Sequence, residues 1–378
     1  MPWQEQSTME LREEFVRFAI QDGVSVRQLC AHYMISPTTG YKWLKRAREG
    51  DPDWAADQSR RPHTSPGQTP AKVEAQIVAL RQQHRSWGGR KLHHRLRALG
   101  VEPVPAPSTI TDILRRHALL DAEHSETHLV PQRFEHPTPN ALWQLDFMGH
   151  LPMVAERVHP LTLLDDHSRF VLGVFACAEE KGPLVQTHLR TVFRHYGLPA
   201  AILTDNGPPW GTAGQGGITR LEAWLLQLGI DLGHGRPKHP QTQGKIERLH
   251  RTLAIELTNT QRFADLPSAQ HAFDAWRHGY NLERPHEALD FAVPASRYQP
   301  SVVPFPETLP PVAYAPDDLV RKVRDQGAIS FANRSSFISR GLIGLPVAVR
   351  PTTTDGVFAV FFCHRQVATI DLTERSKV

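Results

Sequence analysis

Three acidic residues stand where phosphodiester chemistry would use them. Asp146 lies within the apolar stretch WQLDF, Asp205 ends the run AAILTD just before NGPPW, and Glu247 falls in the first half of a helical segment after KHPQTQGK. Strand-end carboxylates converge on one edge of a sheet, and a helix docked beside that edge adds a third. Crowded carboxylates repel one another at neutral pH, so such a cluster is tolerable chiefly when divalent cations neutralise it. Hard oxygen ligands select Mg2+ or Mn2+. With two ions about 3.5 to 4 Å apart, one activates a water or a DNA 3′-hydroxyl while the other stabilises the leaving oxygen. Taken singly, each acid has an ordinary reading as well: TDNG is a common strand-exit turn, and Glu247 has an i,i+4 ion-pair partner in Arg251.

The elements that must carry these acids are strands and helices in alternation. WQLDFMGH and LTLLDDHSRFVLGVFACA give three antiparallel strands, the last two joined by a polar Asp-Asp-His-Ser-Arg turn to which Asp165 and Asp166 belong. A helix over about 181–196, the strand AAILTD, the helix ITRLEAWLLQLG, the strand GIDLGHG and a long helix over about 242–258 complete the pattern, with a further amphipathic helix at 266–282. On the 242–258 helix, His250 and Arg251 lie at i+3 and i+4 from Glu247 and share its face, within reach of a phosphate, while Arg248 points about 100° away and Lys245 sits at the helix start. Beyond a Pro-rich linker, residues 317–378 hold short alternating runs between Gly and Asp turns, the pattern of a small all-β barrel.

Ahead of this α/β core come two all-α units. Residues 1–50 read as a helix-turn-helix: Leu11, Phe15, Phe18 and Ala19 at helical spacing, then SVRQLCAHYMI and SPTTGYKWLKRARE, with Ser25 and Ser36 as N-caps. The third helix, with Thr39, Lys42, Lys45 and Arg46 around an inward-facing Tyr41 and Leu44, is the candidate recognition helix. Lys42 and Arg46, four residues apart, face the major groove together. Residues 51–69 form a linker whose Arg60 and Arg61 track a DNA groove. Residues 70–120 form a second helix-turn-helix-like unit: Arg90 and Lys91 in SWGGRKLHHRLRALG suit phosphate contacts, and Ser108 caps a helix ending in Arg115 and Arg116.

At 378 residues the chain is long enough for several domains, and 40% hydrophobic with 22% charged residues excludes a disordered or coiled-coil protein. Residues 1–120 carry 18 Lys plus Arg against 12 Asp plus Glu, the remainder 25 against 27, so the basic front end is the polyanion-binding part. Three scattered cysteines exclude a disulfide framework, and the sequence has neither a signal-peptide core nor an apolar run of membrane-spanning length. A cytoplasmic protein held at the bacterial nucleoid by DNA binding is expected.

In order along the chain, WQLDFMGH, LLDDHSRFVLG, LTDNGPP, KHPQTQGKIERLHRTL and YNLERPHEALDFAVPASRY resemble the DDE transposases of bacterial insertion sequences, whose catalytic core is shared with retroviral integrases. SWGGRKLHHRLRALG and PSTITDILRRHALL resemble the second DNA-binding unit of that family, and the likeness runs over residues 25–300. The resemblance implies a ribonuclease H-like core over 137–300 in which Asp146, Asp205 and Glu247 hold two Mg2+ (or Mn2+) ions. It implies recognition of terminal inverted repeats, cleavage at element ends and strand transfer into target DNA, by a homo-oligomer of at least two copies. The sequence departs from the pattern twice. The second and third acids are 42 residues apart, with GTAGQGG as an insertion between them, and the position seven after the glutamate, often Lys in relatives, is Ala254. Lys245, Arg248 or Arg251 must then supply the lost DNA contact.

The histidine and cysteine finger of retroviral integrases needs two cysteines where this chain offers only Cys30, so no zinc is expected. Trp210 either stacks on an unpaired base or packs its loop onto the sheet, and Arg284 and His286 fix the end of the core through capping and local hydrogen bonds. Two other functions compete: a DNA-binding regulator keeping the core only as scaffold, against which the intact acid set speaks, and a nuclease that hydrolyses without transferring, against which the paired DNA-binding units speak.

Overall fold

The chain divides into two units, Met1–Gln68 and Thr69–Val378. The computed structural model describes residues 7–50, 52–58, 67–120, 135–154, 156–212, 217–234 and 244–373.

In the first unit, α1 (Thr8–Ala19), α2 (Val26–His32) and α3 (Pro37–Arg48) close around Phe15, Val16, Cys30, Trp43 and Leu44. Ser7 and Glu10 form a reciprocal capping box on α1, and the Ser36 hydroxyl accepts the Thr39 amide at 3.2 Å. Ser25 stands at the N-cap of α2 without a capping bond. α3 meets its neighbours through Gly40, where a Cβ would lie 2.4 Å from Cys30 Sγ. That contact sets the rotation of α3, so Trp43 rather than Tyr41 enters the core and Tyr41 is 57% exposed, contrary to the inward position expected of it.

The second unit begins with α4 (Ala71–Gln83), α5 (Gly89–Ala98) and α6 (Pro107–Arg116), packed on Val73, Ile77, Trp87, Leu92, Leu96, Ile110, Ile113 and Leu114. Pro107 opens α6 behind an Ala106 N-cap, which places Ser108 inside the helix rather than at its cap.

A mixed sheet follows, built from β1 (Trp143–Phe147), β2 (Leu151–Pro152), β3 (Arg157–Asp165), β4 (Val171–Cys177), β5 (Ala201–Thr204) and β6 (Asp231–His234) in the order β2-β3-β1-β5-β6, with β4 beside β3. β1, β3 and β4 pair antiparallel, while β1-β5 and β5-β6 are parallel, so the three-strand meander and the α/β alternation read from sequence are both present. α7 (Gly182–Tyr196) and α8 (Arg220–Gln227) cover one face, with Trp143, Leu145, Leu161 and Leu163 pointing at them. α9 (Gly244–Leu253), continued by a π-helical turn Ala254–Thr258, and α10 (Leu266–Leu282) cover the other. Strand alternation turns Gln144 and Asp146 of β1 toward that second face. The Asp165-Asp166 turn is a buried polar knot: Asp165 accepts the Asn140 and Ser168 amides at 2.8 Å each, and Asp166 accepts Gln144 Nε2 at 2.9 Å.

The Pro-rich segment does not behave as a free linker. Val303 O accepts the Leu198 amide at 2.8 Å, Ser301 donates its amide to Tyr196 O at 2.8 Å, and Phe305 and Leu309 pack on the core. Beyond it, β7 (Leu319–Lys322), β8 (Ala328–Phe331), β9 (Arg334–Phe337), β10 (Pro346–Pro351), β11 (Val357–Phe362) and β12 (Arg365–Asp371) form a four-stranded antiparallel sheet, β12-β11-β10-β7, and a β8-β9 hairpin. This module shares its core with Ile218, Ala223 and Leu226 at α8. Ser339 Oγ donates to Ile218 O at 2.7 Å, and Arg365 pairs at 2.9 Å with the buried Glu222. The carboxy-terminal strands are therefore docked on their own core.

Candidate active site

β1 and β5 pair parallel with Trp143 opposite Ile202 and Gln144 opposite Leu203; continued at the same offset, Asp146 comes level with Asp205. Both carboxylates thus sit where neighbouring parallel strands end. Burial, then the charge of Asp205 and those of Glu247 and Glu180, push Asp146 up to about 7, against a backbone hydrogen bond at Phe147 that lowers it. Asp205 is raised for the same first reason, burial, while its bond from the Gly207 amide at 3.2 Å and the nearby His234 pull it back.

Glu247 stands exposed in the first turn of α9, close enough to raise Asp146. The helix is pinned on both sides of it. Ahead of it, the Ile246 amide donates to Gln144 Oε1 at 3.1 Å and Lys245 Nζ donates to Asp166 Oδ2 at 2.5 Å. One turn on, His250 Nε2 lies 2.7 Å from Thr162 Oγ1, and burial drives His250 down to about 4, so the ring is neutral. Among the described residues no three His, Cys, Asp or Glu side chains stand grouped closely enough to hold a metal ion. Asp146 and Asp205 are brought together, with Glu247 close enough for its charge to act on Asp146.

Sequence reasoning passed over Glu180, whose charge reaches both aspartates, and His234, whose Nδ1 stands 3.0 Å from Asp205 O at the end of β6. Only strand order puts them there, although GIDLGHG, ending beside TDNG in a parallel pair, carried a hint of the second.

The residues expected to touch DNA fall into several groups. Arg248 and Arg251 are exposed on α9, and among the described residues neither forms an ion pair, with Glu247 or otherwise. Lys42 and Lys45 are exposed on α3; Lys45 stands 3.8 Å from Glu49. Lys42 and Arg46 both lie over the Trp43 ring, each at 4.9 Å, and Arg46 donates to Gln58 Oε1 at 2.8 Å; Thr39 is engaged with Ser36 in the cap. Arg60 and Arg61 lie outside the described residues.

In the second helical unit the basic residues have partners within the chain. Arg90 pairs with Glu287 at 3.3 Å, and burial, aided by Arg284, pulls the half-buried Lys91 down to about 8. Arg95 pairs with Glu283 at 3.1 Å, Ser86 donates to Glu256 at 2.8 Å, and His94 stacks on Phe291 at 4.2 Å. α5 therefore turns Lys91, His94 and Arg95 toward its own α/β core, while Arg90 and Arg97 stay exposed. On α6, Arg116 pairs with Glu74 at 2.9 Å and Arg115 with Asp112. Lys245 and His250 likewise point inward, to Asp166 and Thr162, and do not reach out toward a strand. Trp210 is buried beside Phe147 with ring centroids 5.7 Å apart, which fixes its packing role. Arg284 donates to Glu256 at 2.9 Å, a local hydrogen bond at the end of the core.

With the geometry in place, the chain can be set beside known proteins. Two models described as "Integrase core domain" match residues 136–240 and 228–294. "IS481 family transposase, C-terminal domain" matches 318–378, "Helix-turn-helix domain" 11–63 and "Homeodomain-like domain" 39–114. An insertion element IS407 protein of Burkholderia multivorans is 26% identical over 59% of this chain and 79% of its own length. An insertion element IS476 protein of Xanthomonas euvesicatoria is 28% identical over 61% of this chain and 66% of its own. A simian T-cell lymphotropic virus intasome, solved with a regulatory subunit of PP2A, superposes at a TM-score of 0.39 and 17% identity, over 78% of this chain and 95% of that one. The superposition is too loose to bear on function. Mixed sheet, flanking helices and core matches define an integrase-core protein with helix-turn-helix units at its front. Joined to the IS481-type carboxy-terminal match and the insertion-element relatives, they identify the chain as an insertion-sequence transposase with an integrase-type core. No helix among the described residues is long and apolar enough to cross a membrane.

Proposed function

We propose that this transposase binds the terminal inverted repeats of a mobile DNA element, cleaves at the element ends and joins them to target DNA, as a homo-oligomer of at least two copies at the nucleoid. The observation that carries the reading is the levelling of Asp146 with Asp205 at the ends of adjoining parallel strands, with Glu247 on the helix above. Their donor chemistry fits a divalent cation. Burial, then crowding by the other acids, pushes Asp146 up to about 7, and a bound cation offsets that penalty; an all-oxygen set suits Mg2+ or Mn2+. Asp146, Asp205 and Glu247 would hold it. Once bound, such ions supply charge neutralisation at phosphorus and a lowered pKa for the attacking hydroxyl or water.

The rest falls to the chain's own side chains. The Gly207 amide orients Asp205, and Gln144 with Lys245 fixes the start of α9. Arg248 and Arg251, exposed on that helix and without an ion pair among the described residues, meet the phosphates that approach Glu247. Lys42 and Lys45 of α3 engage end DNA. We read the carboxy-terminal sheet and hairpin around one core as a small barrel that offers the exposed Arg321, Lys322, Arg324 and Arg340 to DNA from a fixed seat on α8.

The test is a joining assay on labelled fragments taken from both flanks of the coding sequence. Asp146→Asn, Asp205→Asn and Glu247→Gln should each lose cleavage and joining with Mg2+ while still shifting end DNA. Joining at the wild-type rate by any one of them would overturn the acid assignment, and cleavage without joining would make the protein a nuclease.

A further inference from the structure

His250 is half-buried against the sheet one turn beyond Glu247, and its hydrogen bonding leaves little freedom of interpretation. Thr162 is the antiparallel partner of Asp146, and its hydroxyl donates to Asp146 O at 3.1 Å. A hydroxyl has one proton, and a carbonyl can only accept it. The Oγ1 that faces His250 at 2.7 Å is therefore an acceptor, and His250 must carry its proton on Nε2. A directed chain results, from His250 Nε2–H to Thr162 Oγ1–H to the main-chain carbonyl of Asp146. It ties the helix bearing one acid to the backbone of the strand bearing another.

We infer that His250 is a positioning residue, which sets Glu247 opposite Asp146 by anchoring α9 to Thr162. The inference rests on the reading of Asp146, Asp205 and Glu247 as cation-holding acids. The placement of the link matters. Gln144 and Lys245 hold α9 just before Glu247, and beyond Leu253 the helix passes into a π-helical turn whose Glu256 is held by Ser86 and Arg284. His250 ties the stretch between them to the sheet, one turn past Glu247. Burial holds the ring neutral, so the tie adds no charge beside the acids.

Mn2+ binding to the full chain without DNA tests this, read as the rise in melting temperature against Mn2+ concentration. Ligand-orienting residues typically change metal affinity about 10- to 100-fold. His250→Ala and Thr162→Val should each raise half-saturation at least about tenfold, with kcat for joining at saturating Mn2+ changed far less. His250→Gln places an N–H near the Nε2 position and Thr162→Ser keeps the hydroxyl, so both should restore most of the affinity. The double variant His250→Ala/Thr162→Val should be no worse than either single one, because both break the same chain. If His250→Ala fails to fold, the Thr162→Val and Thr162→Ser pair decides alone. Wild-type half-saturation in Thr162→Val, or a His250→Gln as weak as His250→Ala, would overturn the inference. Asp146→Asn and Glu247→Gln separate the two levels: if they bind Mn2+ as the wild type does, the acid assignment itself has failed.

Discussion

In the triad α1–α3, Lys42 and Lys45 stand exposed along the last helix, and Lys45 has an equally open Glu49 at 3.8 Å. In the triad α4–α6, Arg95 is held at 3.1 Å by Glu283 and Arg90 at 3.3 Å by Glu287, while Ser86 and His94 engage Glu256 and Phe291. Both are three short helices around a small apolar core, and both carry a basic helix. Helical period fixes which face of a helix is polar, but not what that face meets. One basic face is open to an outside polyanion; the other is an internal joint between helical unit and catalytic core. Single exposed ion pairs contribute little, yet these act beside a hydrogen bond to a half-buried Glu256 and a stacked ring, so the joint is a built contact.

The two triads also differ in how tightly their helices close, and the largest expected effect lies there. A Cβ on Gly89 would meet the carbonyl oxygen of Pro107 at 2.4 Å, an obstacle fixed in the backbone. A Cβ on Gly40 would meet Cys30 Sγ and Phe15 Cζ, which can rotate. Gly89→Ala should cost about 3 kcal/mol, at the upper end for overpacking. Gly40→Ala should cost about 1 kcal/mol, partly offset by alanine's helix preference. Amide hydrogen exchange across each triad reads both, and equal losses would mean that the two crossings are equally stiff.

Next in size is DNA binding. Lys42→Ala/Lys45→Ala should weaken binding to end fragments about tenfold and lower the slope of log affinity against log salt by about 2. Arg90→Ala/Arg95→Ala should leave that slope unchanged and lower the stability of the second unit by about 1 kcal/mol. Fluorescence anisotropy over a salt series checks the pair. The opposite result would put α5 on DNA and dissolve the contrast.

What the sequence made legible follows from range. Strands and helices of the core are local patterns of period 2 and 3.6, and Asp146 and Asp205 were visible as strand-end acids because such ends are local too. Helical spacing alone leaves Tyr41 a choice of sides, because α3 has two apolar stripes; Gly40, Trp43, Leu44 and Ala47 form the one that packs, and Gly40 is the sign of close approach in the sequence. His250 was seen on the right face, but Thr162, 88 residues away, decides where it points. The acids that hold α5 are nearly two hundred residues downstream and leave no trace in its own sequence. The docked carboxy-terminal module did leave one. α8 buries Leu221, Ala223, Trp224, Leu225 and Leu226 together, and a helix apolar all round needs partners on both sides.

The smallest effect concerns Lys91, where the two triads differ in what a lysine costs. Burial first, then Arg284, hold Lys91 down near 8, while Glu256 and Glu287 pull the other way. The ordinary value in an unfolded chain is 10.5. Between these values the unfolded chain keeps a proton that the folded one has released, so this group makes stability rise with pH from about 8 to 10.5. Below pH 8 both states are charged and the folded state bears the full cost of half-burying an ammonium. Lys91→Met keeps the stem and removes the charge. At pH 7 it should stabilise the protein by about 1 kcal/mol after allowance for solvent screening, or about 2–4 °C in Tm, with the gain shrinking to nothing by pH 10.5. DNA affinity should not change. Lys42→Met on the exposed face of α3 should behave in reverse, with Tm unaltered at every pH and weaker DNA binding. Melting curves from pH 6 to 10.5 check both variants; a Lys91→Met gain that persists undiminished at the alkaline end would assign the effect to packing instead of charge.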